Sequence, residues 1–164
     1  MAKARLSLRE FQQSLLDRMQ AREEVGLGVS TLGVQIAGQN WLVEMMDIAE
    51  VMAPPPLTSV PLTKPWFRGV ANVRGKLYCV ADMAAYLRRG GVAGDASSRV
   101  LLVADRHGFN VALLVDRVLG LRDARHWRRS QGLPEQYFDE AGVPWNRLDV
   151  PDLLTQAEFL QVGV

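Results

Sequence analysis

Two periods organise the chain. In the first stretch, Leu8, Phe11, Leu15 and Met19 recur at helical spacing, with Arg, Glu and Gln between them. That pattern predicts an N-terminal amphipathic helix with one apolar stripe. Ser7 is placed to cap it, Glu10 completes a capping box, and Gly26 and Gly28 mark its end. A helix this short is marginal alone in water, so its stripe is expected to dock, on its own body in preference to a partner. After Gly28 the period shortens to two. Leu32, Val34 and Ile36 alternate with Gly33, Gln35 and Ala37, the mark of a half-buried strand. Gly38-Gln39-Asn40 is turn chemistry, and Trp41 to Val43 resumes the strand. Met45 to Ile48 predicts a helical turn, and Glu50 to Met52 another strand. Pro54, Pro55, Pro56, Pro61 and Pro65 then exclude a regular ladder and predict an ordered loop. Its Leu57, Val60, Trp66 and Phe67 need somewhere to pack.

The clearest hairpin follows. Gly69 to Val73 leads into Arg74-Gly75, and Lys76 to Ala81 leaves it. Asp82 caps a short helix, Met83 to Leu87. Residues Arg88 to Ser98 are Gly-rich and polar, and are read as a subdomain boundary. Val100 to Ala104 and Phe109 to Val115 are strands around a turn at Asp105 to Gly108. Asp116 interrupts before Val118, Leu119 and Leu121. A turn at Asp139 to Gly142 precedes a strand from Val143 to Leu148, and Asp149 opens a helix with Pro151 in its first turn. Ala81 to Leu87 is similar to Leu148 to Leu154, with Asp82 and Asp149 in the same place. A strand-rich chain with such a repeat predicts two similar small β-barrels.

Composition narrows the function. The 164 residues are 48% hydrophobic and 23% charged, enough for one domain or two small subdomains. Lys+Arg 19 against Asp+Glu 18 leaves a net charge of +1, which argues against coating nucleic acid by bulk charge. The dense basic cluster is Arg122, Arg125, His126, Trp127, Arg128 and Arg129. Cations beside an aromatic suit single-stranded nucleic acid, or an acidic protein patch. A solvated loop with Asp123 as partial counter-charge is the commoner outcome. A small β-barrel nucleic-acid module using Arg122 to Arg129 is therefore the alternative reading, and an aromatic content of 7% weighs against it.

The single cysteine, Cys79, excludes an intramolecular disulfide and a multi-cysteine metal site. No metal or cofactor is expected. As a nucleophile Cys79 would need His107 or His126 as base. Its apolar strand, Leu77 to Val80, predicts a buried and inert thiol instead. Asp82 and Asp149 could form an acid–base pair, but repeated placement at a strand–helix junction favours caps. No apolar run reaches membrane-spanning length, and the N-terminus lacks the apolar core of a secretory signal. The expectation is a cytoplasmic protein with no direct membrane insertion.

The run from Gly69 to Asp82, GVANVRGKLYCVAD, resembles the CheW family of chemotaxis coupling proteins. Gly69, Asn72, Arg74, Gly75, Val80 and Asp82 fill the pattern G-(V/I)-x-N-x-R-G-x-x-x-x-V-x-D. Ile48, Glu50 and Val51 fill its I-x-E-V places, and Val115, Asp116 and Val118 its V-D-x-V segment. The resemblance runs from about Leu32 to Leu154. Between Pro54 and Leu87 the wording is similar to PilI-type couplers of the chemosensory system that governs type IV pilus twitching motility. The chain departs from flagellar-type members in residues 1–28, at Tyr78-Cys79, and from Arg122 to Tyr137.

The resemblance implies a mostly β fold of two SH3-like five-stranded barrels with short helices. With the periodicity and composition above, the chain divides into a helical extension over 1–28 and a CheW-like domain over 29–160, with two interleaved subdomains meeting near 88–98. It implies a non-enzymatic signal-transduction adaptor without cofactor, working beside a two-component kinase. The adaptor bridges a chemoreceptor's cytoplasmic tip and the regulatory domain of a CheA-type histidine kinase, and is recruited to membrane-associated receptor arrays. Receptor binding would use a groove between the barrels, with Arg74 pairing a receptor glutamate and Ile48, Glu50, Val70 and Val73 as further receptor-binding residues. Glu50 and Val51 are adjacent on a strand, so they cannot both line the groove. Kinase binding would use pseudo-symmetric contacts between barrel ends, for which the resemblance names no residues. Gly69, Asn72, Gly75, Asp82 and Asp149 are assigned to architecture.

Overall fold

The computed structural model describes residues 30–87, 96–130 and 135–164. The stripe from Leu8 to Met19 and most of the 88–98 segment lie outside them. Strands β1 (Thr31–Ile36) and β2 (Gln39–Glu44) form an antiparallel hairpin. Its tip, Ala37-Gly38, has φ of 52° and 78°, the turn geometry that matches strand twist. A 3-10 turn, Met45–Asp47, redirects the chain into a second sheet. That sheet holds β3 (Ile48–Met52), β4 (Phe67–Val73), β5 (Lys76–Asp82), β6 (Arg99–Val103) and β7 (Val111–Val115), in spatial order β3-β6-β7-β5-β4. After Asp116 the chain returns to the first sheet as β8 (Arg117–Arg122), β9 (Arg128–Arg129), β10 (Gln136–Phe138) and β11 (Pro144–Arg147), in order β8-β1-β2-β11-β10-β9. The helices are short: α1 (Met83–Tyr86), α2 (Val150–Leu153) and α3 (Ala157–Leu160).

The fold is mostly β, with two sheet units, as the pattern predicts. Two details differ. The first sheet has six strands, because the two residues of β9 extend it. Sheet membership also does not change at 88–98: β6 and β7 join the same sheet as β3, β4 and β5. The chain crosses between sheets at Met45–Asp47 and at Asp116. Gly-rich polar composition marks a loop but carries no information about which sheet the next strand joins. Strand β7 is buried throughout, and it finds cover between β6 and β5.

The two sheets repeat one arrangement. In the second, β3 edges the β6–β7 hairpin, β7 runs parallel to β5, and β5 pairs back to β4. In the first, β8 edges β1–β2, β2 runs parallel to β11, and β11 pairs back to β10. Each parallel strand ends in an aspartate cap. Asp82 Oδ1 accepts from the Ala85 N–H at 3.1 Å, and Asp149 Oδ1 from the Asp152 N–H at 3.1 Å. The first sheet is permuted in chain order, since its hairpin β1–β2 comes before the other described elements.

One core joins both sheets. Leu32, Val34 and Ile36 of β1 share a cluster with Val80, Leu101, Leu113, Val150 and Leu153. The opposite face of the first sheet encloses a smaller cluster of Leu42, Ala124, Tyr137 and Trp145. The proline-rich loop straps the second sheet: Thr58 and Val70 exchange backbone hydrogen bonds of 2.8 and 2.9 Å. Gly69 makes this approach possible. Its φ is 133°, and a Cβ there would lie 2.4 Å from the Thr58 carbonyl oxygen. Trp66 anchors the loop by stacking on Phe159, with centroids 5.2 Å apart and Tyr86 edge-on.

The two caps are not equivalent, because Asp82 is fully buried and also accepts from Arg68 Nε at 3.1 Å. Asp149→Ala is expected to cost about 1 kcal/mol. Asp82→Ala should cost clearly more, since its buried carboxylate accepts from both the helix end and the Arg68 guanidinium. Urea denaturation midpoints of both variants check this, and equal losses would contradict it.

Candidate functional site

The β4–β5 hairpin has a two-residue tip in which both residues take positive φ, 51° at Arg74 and 85° at Gly75. Asn72 fixes it, with Oδ1 accepting from the Gly75 N–H at 2.9 Å. This geometry throws the Arg74 side chain off the end of the sheet, where it is 70% exposed. The guanidinium meets Glu50 of β3 in a fork: Nη1 donates to Oε1 at 3.3 Å and Nη2 to Oε2. That hydrogen bond holds the Glu50 carboxyl below its usual range and raises Arg74 further. Both groups lie in solvent, so the pair adds little to stability. It orients two opposite charges at one spot, and a competing carboxylate could take the guanidinium.

The other predicted receptor-binding residues divide. Ile48 and Val73 are in the core behind the pair, each 7% exposed. Val70 is half-buried on the opposite face of β4 from Val73, under the Thr58 bridge. The structure thus brings together Glu50 and Arg74, supported from within by Ile48 and Val73, and leaves Val70 apart. Gly69, Asn72, Gly75, Asp82 and Asp149 all have structural duties.

The sequence reading missed a second surface. Cys79 is exposed, contrary to the expectation of a buried thiol. Tyr78 and Val80 take the core face of β5, so alternation turns Leu77 and Cys79 outward. Phe109 lies two residues before Val111, where the parallel pairing of β7 with β5 begins, at the end of β5 that carries Leu77. Leu77 is 61% and Phe109 40% exposed, so an apolar patch covers this end of the second sheet. Strict alternation from Tyr78 was the available signal. His107, one suggested base for Cys79, has its ring 3.0 Å from Asp47, which also accepts from Arg106.

The basic cluster is locally matched. Arg125 makes bonds of 2.9 and 2.7 Å to Asp123, which hold that carboxyl at about 2. Arg129 lies 2.6 Å from Glu135, and Arg128 covers the Phe138 ring at 4.6 Å. Part of the cluster's charge is thus balanced by neighbouring carboxylates within the chain.

Residues 30–130 match the CheW-like domain family. The chain belongs to that family. Curated relatives fit the assignment. This CheW-like chain is 32% identical over 102 residues to protein PilI of Pseudomonas aeruginosa, covering 62% of the chain and 57% of PilI. It is 33% identical over 88 residues to a probable chemotaxis protein CheW of Rhizobium etli, covering 53% of the chain and 56% of that protein. It is 31% identical over 91 residues to chemotaxis protein CheW of Thermotoga maritima, covering 55% and 58%. The matches therefore span somewhat more than half the length of these relatives. The crystal structure of the scaffolding protein TtCheW from Thermoanaerobacter tengcongensis shares the fold, with a TM-score of 0.68 at 17% identity over 80% of this chain and 95% of that one. Among the described residues, no helix is long and apolar enough to cross a membrane.

Partial burial pushes the Cys79 thiol above its ordinary value, although the residue is exposed. A disulfide reagent should therefore label the native protein at one thiol, slowly at neutral pH, with a rate still climbing above pH 9.0. Protection until unfolding would contradict the exposed placement.

Proposed function

We propose that this chain is a non-enzymatic coupling adaptor that holds a CheA-type histidine kinase regulatory domain at the cytoplasmic tip of a chemoreceptor. The similarity to PilI supports an output through type IV pilus twitching motility. The observation that carries the reading is the Arg74–Glu50 pair, displayed on a rigid hairpin tip within a chain of the CheW-like family. An adaptor needs two separate faces and no chemistry. Arg74, with half-buried Met52 on the Glu50 face of the neighbouring edge strand, supplies a charged site with an apolar flank for the receptor. The patch of Leu77, Cys79 and Phe109 supplies an apolar sheet end for the kinase domain.

The two faces are separable by substitution. Arg74→Glu should weaken receptor-tip binding by about tenfold or more, roughly 1.4 kcal/mol, and leave kinase-domain binding unchanged. Leu77→Arg should do the reverse, because a charge placed in an apolar contact must be desolvated. Calorimetric titration of both variants with a CheA-type regulatory domain and with a receptor-tip fragment measures this. Folded parent protein that binds neither partner would refute the adaptor reading. Equal receptor affinity for Arg74→Glu would refute the role of the pair alone.

A further inference from the structure

The internal repeat places a second recess at the position that matches the Arg74–Glu50 pair. Strand register fixes the match. Glu50 stands opposite Leu102 just past an irregularity in β3, and Gly120 stands opposite Gly33 just past the corresponding irregularity in β8, where Leu119 is left unpaired. Val51 therefore corresponds to Leu121, and Met52 to Arg122. The β10–β11 hairpin corresponds to β4–β5, with Trp145 in the place of Tyr78 and the tip at Glu140 in the place of Arg74. Here the surface opens into a recess of about 440 Å³, lined by Leu121, Arg122, Trp127, Asp139, Glu140 and Trp145 among others.

The charges are exchanged between the two positions. At the first, the hairpin tip carries the cation and the edge strand the anion. At the second, the tip carries Asp139 and Glu140 and the edge strand Arg122, whose guanidinium lies 5.7 Å from the Trp145 ring centroid. Asp139 is held as an anion: it accepts from Trp145 Nε1–H at 3.0 Å and from the N–H groups of Ala141 and Val143 at 2.9 Å each, which keep its carboxyl below the usual range. Leu121 is 65% exposed, and the Trp127 and Trp145 rings sit 5.4 Å apart. The partly exposed Trp127 indole backed by buried Trp145, an exposed leucine and an acidic lip suit an apolar stripe that carries basic side chains.

The chain contains such a stripe and delivers it to this rim. Residues 1–22 hold Leu8, Phe11, Leu15 and Met19, with Lys3, Arg5, Arg9, Arg18 and Arg22 against Glu10 and Asp17. The chain enters β1 at Thr31, which stands opposite Arg122 and donates its hydroxyl hydrogen bond to the Arg122 carbonyl. The stretch from Met19 to Thr31 can span roughly 40 Å when extended, far more than the recess requires. Tethering of this kind gives an effective concentration of about millimolar order. We infer that residues 1–22 of this chain dock their apolar stripe on Leu121 and the Trp127–Trp145 recess, with basic side chains against Asp139 and Glu140. This intramolecular contact is independent of the adaptor reading and lies away from Arg74.

Hydrogen exchange of the full chain, read by mass spectrometry, tests it. Phe11→Asp interrupts the apolar stripe, and Glu140→Arg reverses the lip. Each should speed exchange over 119–123 and 139–145 by about tenfold or more, leave the β4–β5 hairpin unchanged, and shift tryptophan emission to the red. Exchange over those stretches equal to the parent in Phe11→Asp would overturn the inference. Protection that rises with protein concentration, together with a dimer in sedimentation, would overturn it in favour of a stripe from a second copy.

Discussion

The earliest hairpin of the chain depends on strands made much later. β1 and β2 pair with each other, but β1 gains its second neighbour only when β8 arrives, and β2 only when β11 arrives. A lone two-stranded hairpin is barely stable in water. The shared core resolves this dependence. The stripe of Leu32, Val34 and Ile36 packs into the cluster that β5, β6 and β7 also fill. The second sheet is contiguous in sequence apart from its loops, so its closure entropy is modest, and it offers a surface on which the early hairpin can wait. A core common to both sheets also resists their relative movement, because a close-packed interior transmits strain instead of yielding.

The same arrangement, used twice, carries two different surfaces. The aspartate caps, the parallel closing pair and the irregularity in the edge strand recur in both sheets. What lies on that framework does not. Leu77 and Cys79 cover one parallel strand, while Pro144 and Asn146 occupy the matching places on the other. Asn146 there belongs to a neutral amide chain, accepting from Gln136 at 3.0 Å and donating to Gln39 at 3.3 Å. An apolar end and an amide-lined end do not complement each other. The two sheets therefore carry different side chains on the same framework.

Local physics made most of the framework readable. Period-two alternation located β1, Asp82 and Asp149 announced their helices, and Arg74-Gly75 announced the turn that located β4 and β5. Three features lay beyond reach for definite reasons. Strand order depends on cores assembled from distant segments, so the loop at 88–98 looked like a boundary when the crossings fall at Met45–Asp47 and Asp116. The face of Cys79 required knowing that Tyr78 points inward, and the run Leu77 to Val80 is apolar on both faces. The partner of Arg74 is Glu50, on a strand that meets the hairpin tip only in three dimensions. Motif resemblance singled out both residues without indicating that they touch.

That contact changes how the tip can recognise anything. A partner carboxylate approaching Arg74 meets a guanidinium already bonded to Glu50, so the exchange trades one forked contact for another. Because the resident pair is solvent-exposed, opening it costs little, and replacing it gains little. In such an exchange the charge would set register and reject wrong partners, while affinity would have to come from nearby apolar area such as Met52, which shares the Glu50 face of β3. The converse holds for removal of Arg74. Glu50 would remain as an uncompensated anion beside that apolar area, and it would repel an acidic partner. Substituting Arg74 alone therefore does more than delete a contact. A double substitution that also neutralises Glu50 separates the lost attraction from the repulsion it exposes.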